Sequence, residues 1–155
     1  MEAMARTDDE SFTEVRARVS AEHSLIKRDL ASLAIAAKRV DDGEPGAALL
    51  LREALWTVYT RLVDHLMMEE NHLVPLLERI DSWGPYRVEN MLEEHRQQRV
   101  VLDAIIDECE CGTKDDEELA DDAKWLVASL AKDIAAEERA LDAIEKQDEL
   151  EICGE

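Results

Sequence analysis

The chain holds four histidines, and three of them share a helix-face spacing with carboxylates or stand where an apolar residue is due. His65 and Glu69 are four residues apart, as are Asp133 and Glu137. Side chains at i and i+4 leave the same face of a helix, so each pair projects together. His23 and His95 each interrupt an apolar seam in the same manner, and His72 and Gln98 follow them on their own segments. Imidazole nitrogens and carboxylate oxygens are the ligands of first-row metals such as iron or manganese. Three carboxylates brought together in an apolar surrounding repel one another and lose hydration. A cation cluster removes that conflict. No thiolate joins the set, which argues against a thiolate-bound zinc or iron–sulfur centre.

The segments that must carry these groups are punctuated only by Gly43-Glu44-Pro45-Gly46, Gly84-Pro85 and Gly112, with Pro75 and Gly154 elsewhere. Between them the chain is rich in Ala, Leu, Glu and Arg, all good helix formers, and lacks period-2 runs of β-branched residues. The pattern predicts an all-α fold of four helices, roughly 10–41, 46–79, 86–109 and 115–146. Apolar residues recur at 3–4 spacing on each. The first helix reads Phe12, Val15, Val19, His23, Ile26, Leu30, Leu33, Ala37, and the second Leu51, Leu55, Val58, Leu62, His65, Glu69, His72, Leu76. The third reads Val88, Met91, His95, Gln98, Leu102, Ile105, and the fourth Leu119, Ala123, Leu126, Leu130, Asp133, Glu137, Leu141, Ile144. Short loops make this an up-down-up-down four-helix bundle over residues 10–146, with residues 1–9 and 147–155 expected as flexible termini. Folding back at the loops brings His23, His65, Glu69, His95, Asp133 and Glu137 to within about one helical turn in height, nearer the second loop and the termini.

Composition narrows the partners. Eighteen basic against 38 acidic residues give a net charge of −20 over 155 residues, which argues against nucleic acid or an anionic membrane as partner. No apolar run approaches a membrane span, and the first residues lack the apolar stretch of a secretory signal, so a cytoplasmic protein is expected. Cys109, Cys111 and Cys153 are an odd number at spacings that make neither a disulfide framework nor a zinc site. Free thiols are expected.

The residues resemble the hemerythrin-like (HHE) domain family. The resemblance rests on Glu22-His23, on His65-Leu-Met-Met-Glu69-Glu70-Asn-His-Leu-Val-Pro75-Leu, on Glu94-His95, and on Ile134-Ala-Ala-Glu137-Glu138, and spans roughly residues 15–145. It implies a hemerythrin-like bundle around two iron ions, often with an oxo or hydroxo bridge, with manganese or zinc as other occupants. Glu69 and Glu137 would bridge the metals, and His23, His65 and His95 would be terminal ligands. O2, peroxide or NO would be the small-molecule ligand. Two positions depart from the family. Asp133 stands where the fourth helix usually carries a histidine, and Arg99 stands where O2-carrying members have a second histidine on the third helix. An added carboxylate makes the site harder and more anionic, favouring ferric iron. That leans toward O2 or peroxide activation, ferroxidase behaviour or sensing, and away from reversible carriage.

The residues leave other readings open. Glu69-x-x-His72 fits a ferritin-like di-metal carboxylate oxidase or ferroxidase, although no second such unit occurs on the fourth helix. An acidic helical module that docks a partner without metal is a third reading. Whether His72 joins the site, and whether Glu138 replaces Glu137, also stays open at this point.

Overall fold

Ser11 opens the bundle: its hydroxyl accepts from the Glu14 N–H at 3.1 Å, satisfying one of the donors that a helix start leaves unpaired. The computed structural model describes the backbone of residues 10–153 and the side chains of residues 10–147. Residues 1–9, expected as a flexible terminus, and the side chain of Cys153 lie outside the described residues. Helix α1 spans Phe12–Asp41, α2 Ala47–Met68, α3 Val74–Ile80, α4 Gly84–Cys111 and α5 Asp116–Cys153. Between α2 and α3 the chain makes one turn of π-helix, Glu69–Leu73. The second arm of the bundle is therefore α2, the π turn and α3 in succession. No strand occurs among the described residues, and no helix among them is long and apolar enough to cross a membrane. The all-α four-arm bundle expected from the periodicity is the observed fold.

Two boundaries differ from the expected ones. The last helix does not fray after Lys146 but continues to Cys153; Gln147 to Ile152 includes no Gly or Pro, and Gly154 is the first residue able to stop it. The second arm is not one α-helix. Pro75 has no N–H to give and its ring crowds the carbonyl four residues back, and just before it the Val74 N–H reaches Glu69 O, five residues away. The wider turn absorbs one extra residue. Beyond Glu69 the buried positions are consequently Leu73 and Leu77, not His72 and Leu76 as an unbroken 3–4 spacing requires.

The core lies in two blocks. The larger, toward the α1–α2 and α4–α5 loops, includes Ile26, Leu33, Leu51, Leu55, Leu102, Leu119 and Leu130. The smaller, toward the α3–α4 turn and the outer ends of α1 and α5, includes Phe12, Val15, Val19, Met68, Leu73, Leu77, Val88 and Leu141. The buried His23, His65, Glu69 and His95 fall between these blocks in sequence on their helices, so a polar layer separates two dry ones. Cys109 is buried and Cys111 exposed, and both are free.

Glycine is required at two turns. Gly112 ends α4 in the left-handed region at φ 66°, where its N–H closes on Glu108 O. Gly84 starts α4 against the end of α3, so closely that an added Cβ falls 2.2 Å from Leu77 O and 2.7 Å from Glu78 O. Both neighbours are backbone and cannot swing aside. Gly84→Ala is expected to lower stability by about 2 kcal/mol, the scale of overpacking, and so the melting temperature by several degrees. Thermal unfolding followed by circular dichroism checks this, with an unchanged melting temperature counting against it.

Candidate metal centre

Every arm brings an inward-facing group from a position that its seam leaves polar, and the second arm brings two. His23 comes from the middle of α1, His65 from the last turn of α2, Glu69 from the start of the π turn, His95 from α4 and Glu137 from α5. His23, His65, Glu69 and Glu137 each offer a donor atom, and the four atoms lie within 4.8 Å of one another. His95 closes the group from the opposite arm, its Nε2 3.2 Å from Glu69 Oε1. That oxygen is also 3.2 Å from His65 Nε2, so Glu69 stands between two imidazoles. His23 Nε2 lies 2.9 Å from Glu137 Oε1, and the rings of His23 and His65 are tilted at 55° with centroids 4.8 Å apart.

Glu69 Oε2, His95 Nε2 and Glu137 Oε1 are buried and have no hydrogen-bond partner. Buried polar atoms are nearly always paired, and leaving one unpaired costs about 1–3 kcal/mol. Three such atoms converging from three elements are what a cation-binding cage presents when its lone pairs are aimed at a common point rather than at one another. The donors, imidazole nitrogen with carboxylate oxygen and no thiolate, suit iron or manganese. The residues fit a metal.

The far side of each imidazole is fixed. His23 Nδ1 lies 2.8 Å from Glu138 Oε2, His65 Nδ1 2.9 Å from Glu22 Oε1, and His95 Nδ1 2.9 Å from Glu70 Oε2. A carboxylate on Nδ1 orients the ring and leaves Nε2 free as the ligand atom. Arginines back these carboxylates in turn. Arg99 grips Glu70 through two bonds of 2.7 Å, and buried Arg16 reaches Glu138 at 2.8 Å. Arg18 stands 3.5 Å from Glu22. In every case the carboxylate comes from the neighbouring arm, so the three relays tie the bundle together around the layer.

Glu138 does not replace Glu137 in the central group; it backs His23 and accepts from Arg16 and Ser20. His72 is carried out of the seam by the π turn, and its Nδ1 stands 3.3 Å from Glu10. Asp133 is not among the four converging donors. The core position beside it is taken by Ile134, and Asp133 is half-buried, accepting from Gln98 Nε2 at 3.1 Å. Thus five of the six candidate ligands are brought together, and Asp133 flanks them across the α4–α5 gap. Arg99 stands behind His95 through Glu70.

The crowding of charge shifts the titration of these groups. Burial by itself lowers the His65 imidazole, but its bond to Glu69, the Glu69 charge and Glu22 outweigh that and hold it at about 9. His95 is raised for the same reasons, with Glu69 and Glu70 as partners. Burial pushes Glu69 up, yet His65 and His95 hold it far below the ordinary carboxylate range. Glu137 goes the other way: burial raises it, and Glu69 opposite adds to the rise against the pull of His23.

The chain matches the Hemerythrin HHE cation binding domain over residues 8–142. It belongs to the hemerythrin HHE family. No curated protein sequence and no solved structure matches it. The family's description is of a cation-binding domain, and among the described residues the converging donors of the polar layer form a group that could hold a cation.

Protonation and metal compete for the same atoms, which fixes a pH response. A raised histidine such as His65 stabilises the metal-free fold fully below its unfolded value and loses that contribution as pH rises through about 9. Glu137, also raised, stabilises below the ordinary carboxylate range and loses its contribution as it ionises above that range. The melting temperature of chelator-treated protein is therefore expected to fall between pH 6 and pH 9.5. Metal-loaded protein, whose ligands are already deprotonated, should hold its melting temperature over the same range. Parallel curves for the two forms would contradict the assignment.

Proposed function

We propose that this chain is a cytoplasmic non-haem di-iron protein that binds, senses or reacts with O2, peroxide or NO, or senses iron. The observation that carries this reading is the convergence of buried, partnerless donor atoms from Glu69, His95 and Glu137 beside His23 and His65. Glu69 and Glu137 would bridge two ions, and His23, His65 and His95 would be terminal ligands, with Asp133 beside the second ion. Bound there, iron supplies electron transfer to and from small oxygen and nitrogen ligands.

What the chain's own residues contribute is an enclosure. Val19 and Met68 close the layer on one side, and Ile26, Leu62, Leu66 and Ile134 on the other, keeping bulk water from the donors. The Arg–Glu–His relays hold each ring in one tautomer. Glu137, one-fifth exposed where the histidines and Glu69 are almost wholly covered, faces a cleft of about 500 Å³ lined by Leu77, Met91, Glu94 and Ala140 among others. That cleft gives a small molecule a path to the centre. Asp133 in place of a histidine adds negative charge beside the site, which favours the higher-valent metal and supports activation or sensing over reversible O2 carriage.

The ferritin-like oxidase reading draws less support, because His72 faces Glu10 and not the layer. A metal-free docking module leaves the three partnerless atoms of the polar layer without a role.

Metal analysis of protein purified without added metal, with absorption spectra before and after O2 and peroxide, tests the proposal. Two irons per chain with near-ultraviolet charge-transfer bands are expected, and Glu69→Ala should abolish binding. Arg99→Gln, which releases Glu70 from behind His95, should weaken iron binding by about 10–100-fold, the cost of losing an outer-shell partner. Absence of metal, with His65→Ala and Glu69→Ala leaving stability unchanged, would sink the reading. On repeated O2 exposure the reduced protein is expected to oxidise in the first cycles; reversible uptake over many cycles overturns the argument from Asp133.

A further inference from the structure

The converging donors are unevenly shared across the layer. His23 and His65 stand on neighbouring arms with ring centroids 4.8 Å apart. With Glu69 and Glu137 they make one compact group, whose four donor atoms lie within 4.8 Å of one another. His95 is not one of the four. It approaches from α4, where its Nε2 lies 3.2 Å from Glu69 Oε1 and has no hydrogen-bond partner. One side of the layer thus offers two imidazoles and the other a single one.

The elements around His95 explain why it stands alone. Four residues on, the same face of α4 carries Arg99. Its guanidinium is bound twice to Glu70 at 2.7 Å and has no lone pair to offer a cation. Across the gap, α5 carries Asp133, half-buried and turned to Gln98, whose Nε2 donates to it at 3.1 Å. The next residue, Ile134, belongs to the core. The remaining histidine of the chain, His72, faces Glu10. Charge sharpens the imbalance. Glu69 and Glu137 are the carboxylates of the central group, and two carboxylate charges balance one divalent ion. A second ion nearby meets the repulsion of the first and needs further negative charge, since an uncompensated charge in a covered site is unfavourable. The carboxylates behind the rings are already engaged, Glu138 with Arg16, Glu70 with Arg99 and Glu22 with Arg18. Asp133 is held by an uncharged amide alone.

We propose that the two metal positions are unequal. His23, His65, Glu69 and Glu137 hold a resident ion, and His95 with Asp133 takes a second, exchangeable ion whose occupancy follows the supply of divalent metal. The inference rests on the metal-centre reading above and adds the order of loading and the means by which the centre registers metal. Asp133 supplies the added charge by giving up the Gln98 amide. Loading of the second position is therefore felt in the contact between α4 and α5, whereas loading of the first is not. Arg99 and Gln98 are the residues that keep the second position incomplete, the one by offering no donor atom and the other by holding Asp133 aside.

Co2+ titrated into metal-free full-length protein and followed by calorimetry tests this. Two steps of one ion per chain are expected. The second should be weaker by about 100-fold or more, since losing even a partner that stands behind a ligand is worth about 10–100-fold. A brief excess of chelator should strip one of the two bound ions from the loaded protein and leave the other. Asp133→Asn keeps a partner for Gln98 and removes the charge, and it should weaken the second step by about tenfold, the scale of one partly screened charge contact. His23→Gln should abolish the tight step, and His95→Gln the weak one. Two indistinguishable steps in the unsubstituted protein overturn the proposal, as does a single ion bound even in large excess of Co2+. A second step unchanged by Asp133→Asn overturns it too, as does a tight step that is lost in His95→Gln and kept in His23→Gln. Failure of the unsubstituted protein to bind Co2+ at all is a different result, and it sinks the metal-centre reading itself.

Discussion

Glu69 is a carboxylate almost wholly removed from water in the middle of a helical bundle, and the rest of the architecture answers that fact. A buried charge without compensation costs several kcal/mol. Here one oxygen of Glu69 lies between His65 and His95 and the other is left open. Two neighbouring imidazoles do not exhaust a carboxylate's lone pairs. A bound cation would complete the layer, and the family to which the chain belongs is described by that capacity.

The π turn and the arginine relays serve the same constraint. An unbroken α-helix aims His65, Glu69 and His72 down one line and gives the centre a third group from that arm. The added residue at Glu69–Leu73 rotates His72 away and returns Leu73 and Leu77 to the core, so the polar face of this arm ends at Glu69. π bulges recur at functional sites for this reason: they change which side chain a helix presents without ending it. Around the layer, Arg16, Arg18 and Arg99 pass positive charge outward through Glu138, Glu22 and Glu70. The histidines are thereby held by groups from neighbouring arms, and site geometry and bundle geometry become one problem.

How much of this the amino-acid sequence discloses depends on the kind of feature. The first helix was legible residue by residue, because every seam position from Phe12 to Ala37 is buried and the one polar member, His23, faces the centre. On the fourth helix the same reasoning put Asp133 on the seam ahead of Glu137, although 3–4–4 and 4–3–4 steps are equally helical. The structure gives the core to Ile134. Local periodicity carries no knowledge of an inserted π residue, so the seam beyond Glu69 was read one position early; Pro75 was the available signal. The outer carboxylates were missed because they lie off the seam. The doubled pairs Glu69-Glu70 and Glu137-Glu138, and Glu22 beside His23, mark them once adjacent residues are read as facing different arms.

The division of the core into two dry blocks bears on how the molecule comes apart. Cooperative unfolding needs contacts that make the loss of one region the loss of the next. Across most bundles a continuous apolar seam does this, whereas here the seam is cut at the level of His23, His65, Glu69 and His95. The block holding Phe12, Leu73 and Leu141 and the block holding Leu33, Leu51 and Leu119 communicate through ligand side chains and the relays behind them. The layer is thus also a mechanical splice. A cation held there would tie the two blocks into one melting unit, and its removal would leave the end nearer the termini free to open first, exposing the centre to the very ions that would close it again.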